Sequence, residues 1–149
     1  YAGTISGGGT IHNEGYFQLE SFDEKILDNS TINNDGTIYI IQTNLNRATN
    51  GATINNNVSG LIEVNSVGGW TQFNSGCTIN NVGVIKKIND GLTFSTFYLV
   101  FDIYNSGIIH TEENQTFLIS GGPIGLNNQT SGIISGSGIF DITANFLSF

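Results

Sequence analysis

The phrase TINNDGTIYI at residues 31–40 returns, with small changes, as TINNNVSGLIEV from Thr53 and as TINNVGVIKK from Thr78. A repeat constrains a chain more than any single motif, because each copy must fit the next one in space. An Asn ahead of a turn glycine recurs at Asn13, Asn34, Asn56, Asn81, Asn105 and Asn128, with spacings of 21, 22, 25, 24 and 23 residues. Glycine follows after one residue at Gly15, Gly36, Gly83 and Gly107, and after three at Gly60 and Gly132. These Asn and Gly residues are read as the turn between two strands. Two residues before each Asn stand Ile11, Ile32, Ile54, Ile79, Ile103 and Leu126. Two residues after each Gly stand Phe17, Ile38, Ile62, Ile85, Ile109 and Ile134, so that apolar residues alternate with polar ones on both sides of the turn.

Short strands and turns at this period, with no helical pattern between them, predict an all-β fold. The fold is a single-stranded parallel β-helix of about six coils of 21–25 residues, right-handed by the crossover rule. Residues 1–149 form one β-solenoid domain, either a fibre subunit or an excerpt of a longer stalk. Coils stack at about 4.8 Å, and the two apolar columns become internal ladders. Leucine-rich repeats share the period, but they need Leu columns that this sequence lacks.

On the third side of the coil, Trp70, Phe94, Phe117 and Phe140 lie 24, 23 and 23 residues apart. They are read as an aromatic ladder inside the core; the alternative is an exposed platform for sugar rings. Glu14 and Asp35 occupy the same turn position on adjacent coils, where paired carboxylates could hold Ca²⁺ or share a proton, although a solvated turn edge is the preferred reading. No other cofactor is indicated, and His12 and His110 fall four coils apart in different columns. Glu63, Lys86 and His110 match across coils as a surface charge ladder. Thr10, Thr31, Thr53 and Thr78 form an outward column beside His12, Asn33, Asn55 and Asn80, a regular array of the kind that can order water in ice binding. Asn29, Asn57, Asn114 and Asn128 begin N-x-[ST] glycosylation sequons, a number that chance supplies in a chain so rich in Asn, Ser and Thr.

Composition excludes several functions. Lys25, Arg47, Lys86 and Lys87 are the whole basic complement, against a net charge of −8, so no phosphate-tracking stripe exists and nucleic acid is not a partner. Apolar runs such as FYLVF from Phe97 are too short for membrane insertion. Cys77 is the only cysteine, which rules out an intrachain disulfide. Neither YAGTISGGGTI nor IFDITANFLSF resembles a polar cap. Either the chain is cut from a longer stalk, or its ends, with Tyr1, Phe146 and Phe149, are an assembly interface joining copies head to tail.

The T-I-N-N-x-G-x-I phrase and SGIISGSGIF from Ser131 resemble the β-helical stalks of secreted surface proteins, of the filamentous-haemagglutinin-like and autotransporter-like adhesin type. That resemblance covers almost the whole chain. It implies a non-enzymatic, exported, cell-surface protein used for attachment or matrix building. The expected partners are further copies of the chain, joined through its ends as a homo-oligomer or filament, and a glycan or other cell-surface ligand. The alternative expectation is a carbohydrate-binding or polysaccharide-degrading β-helix.

Overall fold

The computed structural model of the chain describes residues 3–20, 25–41, 46–65, 70–72, 76–88, 95–99, 101–119, 125–143 and 146–148. Its strands come in threes. The first two coils hold β1 (Gly3–Ile5), β2 (Thr10–Asn13) and β3 (Tyr16–Glu20), then β4 (Lys25–Asp28), β5 (Thr31–Asn34) and β6 (Thr37–Ile41). The next two hold β7 (Asn46–Thr49), β8 (Thr53–Asn56) and β9 (Leu61–Asn65), then β10 (Trp70–Gln72), β11 (Thr78–Asn81) and β12 (Val84–Lys87). After them come β13 (Ser95–Leu99), β14 (Asp102–Asn105), β15 (Ile108–Thr111), β16 (Gln115–Ile119), β17 (Leu126–Asn128) and β18 (Ile133–Gly136). A last partial coil adds β19 (Ile139–Ile142) and β20 (Phe146–Ser148).

Every third strand pairs, in parallel. The first sheet runs β1-β4-β7-β10-β13-β16-β19, the second β2-β5-β8-β11-β14-β17-β20, and the third β3-β6-β9-β12-β15-β18. The chain is thus an all-β parallel β-solenoid. Strands of three to five residues are too short to persist alone, so each is held by its neighbours above and below.

The TINN phrase shows how the sequence sets the register. In β5, β8 and β11 the burial pattern alternates, with Thr and the first Asn outward and Ile and the second Asn inward. Ile11, Ile32, Ile54, Ile79, Ile103 and Leu126 stand directly over one another in the second sheet. Phe17, Ile38, Ile62, Ile85, Ile109 and Ile134 do so in the third. Burying one such side chain contributes about 1.5–3 kcal/mol, and a one-residue slip would turn the whole column out to water.

The asparagines expected only to make the turn instead belong to the core. Asn34, Asn56, Asn81 and Asn105 are fully buried and Asn13 nearly so, because they are the last inward residues of the second sheet. Each amide is bonded to the next coil. Asn13 Nδ2 donates to Asn34 Oδ1 at 2.6 Å, Asn34 to Asn56 at 2.7 Å, Asn56 to Asn81 at 2.7 Å, Asn81 to Asn105 at 2.6 Å and Asn105 to Asn128 at 2.7 Å. The same Nδ2 groups donate to carbonyl oxygens just beyond the glycines, at Thr37, Leu61, Val84 and Ile108. A second ladder runs outside: Asn55 Nδ2 donates to Asn33 Oδ1 and Asn80 Nδ2 to Asn55 Oδ1, both at 2.8 Å. The inner amides donate towards later coils and the outer ones towards earlier coils.

From the second coil on, the glycines after these asparagines are required by stacking rather than by left-handed backbone, whereas Gly15 of the first coil has nothing within 4 Å of an added Cβ. A Cβ on Gly36 would meet the backbone nitrogen of Gly15 at 2.6 Å and its carbonyl oxygen closer still. On Gly83 it would strike the carbonyl oxygens of Asn57 and Gly60.

The aromatic ladder differs from expectation in its members. Phe97 stands beside Phe117, which stands beside Phe140; Phe94, expected in the ladder, lies outside the described residues. Phe97 and Phe117 are buried, 5.5 Å apart and near edge-to-face, with Phe140 6.0 Å beyond. The backbone of Trp70 pairs with Leu99, which puts it two residues out of line with Phe97. Even spacing in sequence hid the variable chain length between the third and first sheets, and pairing decides the register. The buried rings exclude a sugar platform at Phe97 and Phe117.

Candidate functional site

The outward face of the third sheet concentrates chemistry at its N-terminal end. Period-two alternation turns Tyr16, Gln18 and Glu20 out of β3, Thr37, Tyr39 and Ile41 out of β6, and Leu61, Glu63 and Asn65 out of β9. Pairing arranges them as a grid of three columns: Tyr16, Thr37, Leu61; Gln18, Tyr39, Glu63; Glu20, Ile41, Asn65. Tyr39 is the centre. Gln18 and Glu63 flank it along its column, and Tyr16 and Asn65 lie on the diagonal, within reach of long side chains.

The rings of Tyr16 and Tyr39 lie 5.8 Å apart with a tilt of 39°. Asn65 Nδ2 donates to the Tyr39 hydroxyl at 2.9 Å, and Gln18 Nε2 donates to Glu20 Oε2 at 2.5 Å. Tyr16 is 61% exposed, unusual for so large an apolar ring. Its phenol is pushed above the ordinary tyrosine value, first by local desolvation and then by Tyr39, Glu63 and Glu20, which disfavour a further negative charge there. The sequence repeat does not reveal this grid, because its tyrosines occur once each in columns of otherwise mixed residue types: Thr37, Leu61, Val84, Ile108 and Ile133 with Tyr16, and Gln18, Glu63, Lys86, His110 and Ser135 with Tyr39.

The other singled-out residues are dispersed. Glu14 and Asp35 are both exposed; the Asp35 carboxylate accepts from Asn57 Nδ2 at 2.8 Å and from Ser59 Oγ at 3.4 Å. No group of three His, Cys, Asp or Glu side chains suited to a metal occurs among the described residues. Lys86 and Glu63 are register neighbours, but Lys86 Nζ forms its ion pair with Glu112 Oε1 at 2.7 Å, a part-exposed contact worth at most about 1 kcal/mol. His110 Nδ1 lies 3.1 Å from Ser135 Oγ.

The outward Thr column runs through Thr10, Thr31, Thr53 and Thr78 and then meets Asp102, which is buried and accepts the Gly125 N–H at 3.1 Å. Among the sequons, Asn29 and Asn114 are exposed and Asn57 is half-buried. Asn128 ends the inner ladder, accepting from Asn105 and donating to the Gly132 carbonyl at 3.0 Å, so its amide is occupied in the folded chain. Tyr1 and Phe149 lie outside the described residues, and Phe146 opens β20 opposite Leu126.

A buried lysine was missed. Lys87 is fully buried in the column Leu19, Ile40, Val64, Lys87, Thr111, and its Nζ donates to the Ile88 carbonyl at 3.2 Å. The signal was present, since Lys87 sits two residues after the inward Ile85.

At the N-terminal end, an apolar hollow of about 270 Å³ opens between the first and third sheets, lined chiefly by Ile5, Phe17, Leu19, Leu27, Ile32 and Ala48. β1, β2 and β3 are the terminal strands of their sheets. Fold and faces together define a β-solenoid repeat protein. The chain matches no family model, no curated protein and no solved structure.

Proposed function

We propose that the protein is a non-enzymatic structural and adhesive β-solenoid of the cell exterior, whose stack is continued end to end by further copies of itself. The observation that carries this reading is the repeat itself: each coil presents the same Ile and Asn rungs to the next, so a further copy of the pattern continues the stack. Ile5, Phe17 and Leu19, which line the 270 Å³ hollow, and Ile11 of the same coil occupy interior positions yet are only partly covered. At the other end Ile134, Phe140 and Ile142 are likewise part-covered, and Ile139 is 60% exposed. Contact between the two different ends of a stack is head-to-tail, and such a contact does not close into a ring unless its rotation allows it. The acidic, Asn- and Gly-rich composition supports an exterior location.

Sedimentation and electron microscopy of the purified chain test the assembly. Rods that lengthen with protein concentration are expected, and Ile5→Lys shortens them by placing a charge in the end contact. Monodisperse single-chain particles at high micromolar concentration would overturn it.

A further inference from the structure

We propose that the outward grid of the third sheet around Tyr16 and Tyr39 is a binding site for a glycan bearing free amino groups, a polymer of hexosamine units. It gives the adhesive part of the reading above a ligand, while the end contacts are tested separately, so either can fail alone.

Packing does not explain Tyr16. Its ring is 61% exposed on a sheet face, and its 39° tilt to Tyr39 leaves the two rings as a shallow platform rather than a closed edge-to-face pair. A pyranose presents C–H groups on its faces and hydroxyls around its rim. The first suit an aromatic face, and the second suit planar polar side chains, here Gln18, Glu20, Glu63 and Asn65 around the tyrosines.

Charge selects among sugars. Glu20 and Glu63 are the only charged residues of the nine in the grid, and both lie close enough to Tyr16 to disfavour ionisation of its phenol. The neighbouring cation in register, Lys86, is held by Glu112. A uronic-acid polymer would meet unscreened carboxylates on a chain of net charge −8. An ammonium group is attracted both by those carboxylates and by the tyrosine faces. A flat site of this size binds one chain segment weakly. A repeating glycan meeting many copies of the site along an assembled rod gains through effective concentration.

The experiment is calorimetric titration of the intact chain, at about pH 6 where the probe amine carries its proton, with a glucosamine hexamer, its N-acetylated counterpart and an oligogalacturonate. The glucosamine hexamer binds, Tyr16→Ala weakens it by about tenfold or more, and Glu20→Gln with Glu63→Gln lowers it to the affinity of the N-acetylated oligomer. The oligogalacturonate does not bind. Unchanged circular dichroism and melting in Tyr16→Ala exclude misfolding as the cause. Absence of glucosamine binding, or binding indifferent to Tyr16→Ala, overturns the site. Equal binding of the three oligomers, or no effect of the two Glu→Gln changes, overturns the amino-sugar assignment.

Discussion

Replacing Asn56 by Ala tests whether the inner asparagine ladder holds the stack. Asn56 is fully buried, accepts from Asn34 at 2.7 Å and donates to Asn81 at 2.7 Å and to the Val84 carbonyl at 3.1 Å. The substitution removes the bond from Asn34, though Asn34 Nδ2 keeps its second acceptor at the Leu61 carbonyl. It also strips Asn81 Oδ1 of its ladder donor. Each lost bond is worth about 1 kcal/mol net, and a stranded buried acceptor adds about 1–3 kcal/mol. The sum, with a small void, is about 3–5 kcal/mol, which in a domain of this size lowers the melting temperature by roughly 10 °C.

Asn13→Ala provides the internal control. Asn13 donates to Asn34 and Thr37 but stands in the first coil, where, in the dilute chain not joined to another copy, water can reach the vacated acceptor. Its cost is expected at about 1–2 kcal/mol. Urea and thermal unfolding of both variants, read by circular dichroism, give the comparison. An Asn56→Ala variant within about 0.5 kcal/mol of the parent, or equal to Asn13→Ala, would refute the view that the ladder is cooperative and position-dependent.

Further outcomes follow from the same geometry. Gly83→Ala should destabilise by about 1–3 kcal/mol through collision with Asn57 and Gly60, whereas Gly9→Ala, with nothing within 4 Å of the added Cβ, should be neutral or slightly stabilising in the same urea titration. Cys77 is buried and its thiol is raised above the usual value, by desolvation first, so iodoacetamide should label it only in denaturant. The buried thiol also sets a sign: its contribution to stability is complete below the unfolded thiol's value and is lost as pH rises through the folded one, so stability should fall on the alkaline side. An amine-reactive ester should modify Lys86, which is part-exposed, far ahead of the fully buried Lys87, as read by peptide mass spectrometry.

The architecture was legible because it is periodic. Ile32, Ile54 and Ile79 must each fit the same space, and a recurring requirement leaves a recurring residue. The inward direction of Asn34 was available from the same alternation, two residues after Ile32, but polarity argued for a turn, and only the amide bonds between coils reveal why a polar side chain is stable inside. Gly36 looked like turn chemistry for the same reason, whereas the constraint on it comes from a residue 21 positions earlier. The Phe97 rung was illegible because spacing alone does not locate extra residues within a coil. Tyr16 and Tyr39 were illegible as a pair because they meet on a diagonal that exists only after β3 and β6 have paired.

The inner ladder also fixes the increments in which such a molecule can change length. Losing a single residue between Asn34 and Ile38 would offset an amide from its acceptor and a glycine from its gap at once. Duplicating the 22 residues from one ladder Asn to the next, as between Asn34 and Asn56, restores every donor, acceptor and apolar rung in the new copy. Growth by whole coils is therefore nearly free of structural conflict while growth by fractions is not, and related chains would differ in reach by steps of one strand spacing, about 4.8 Å.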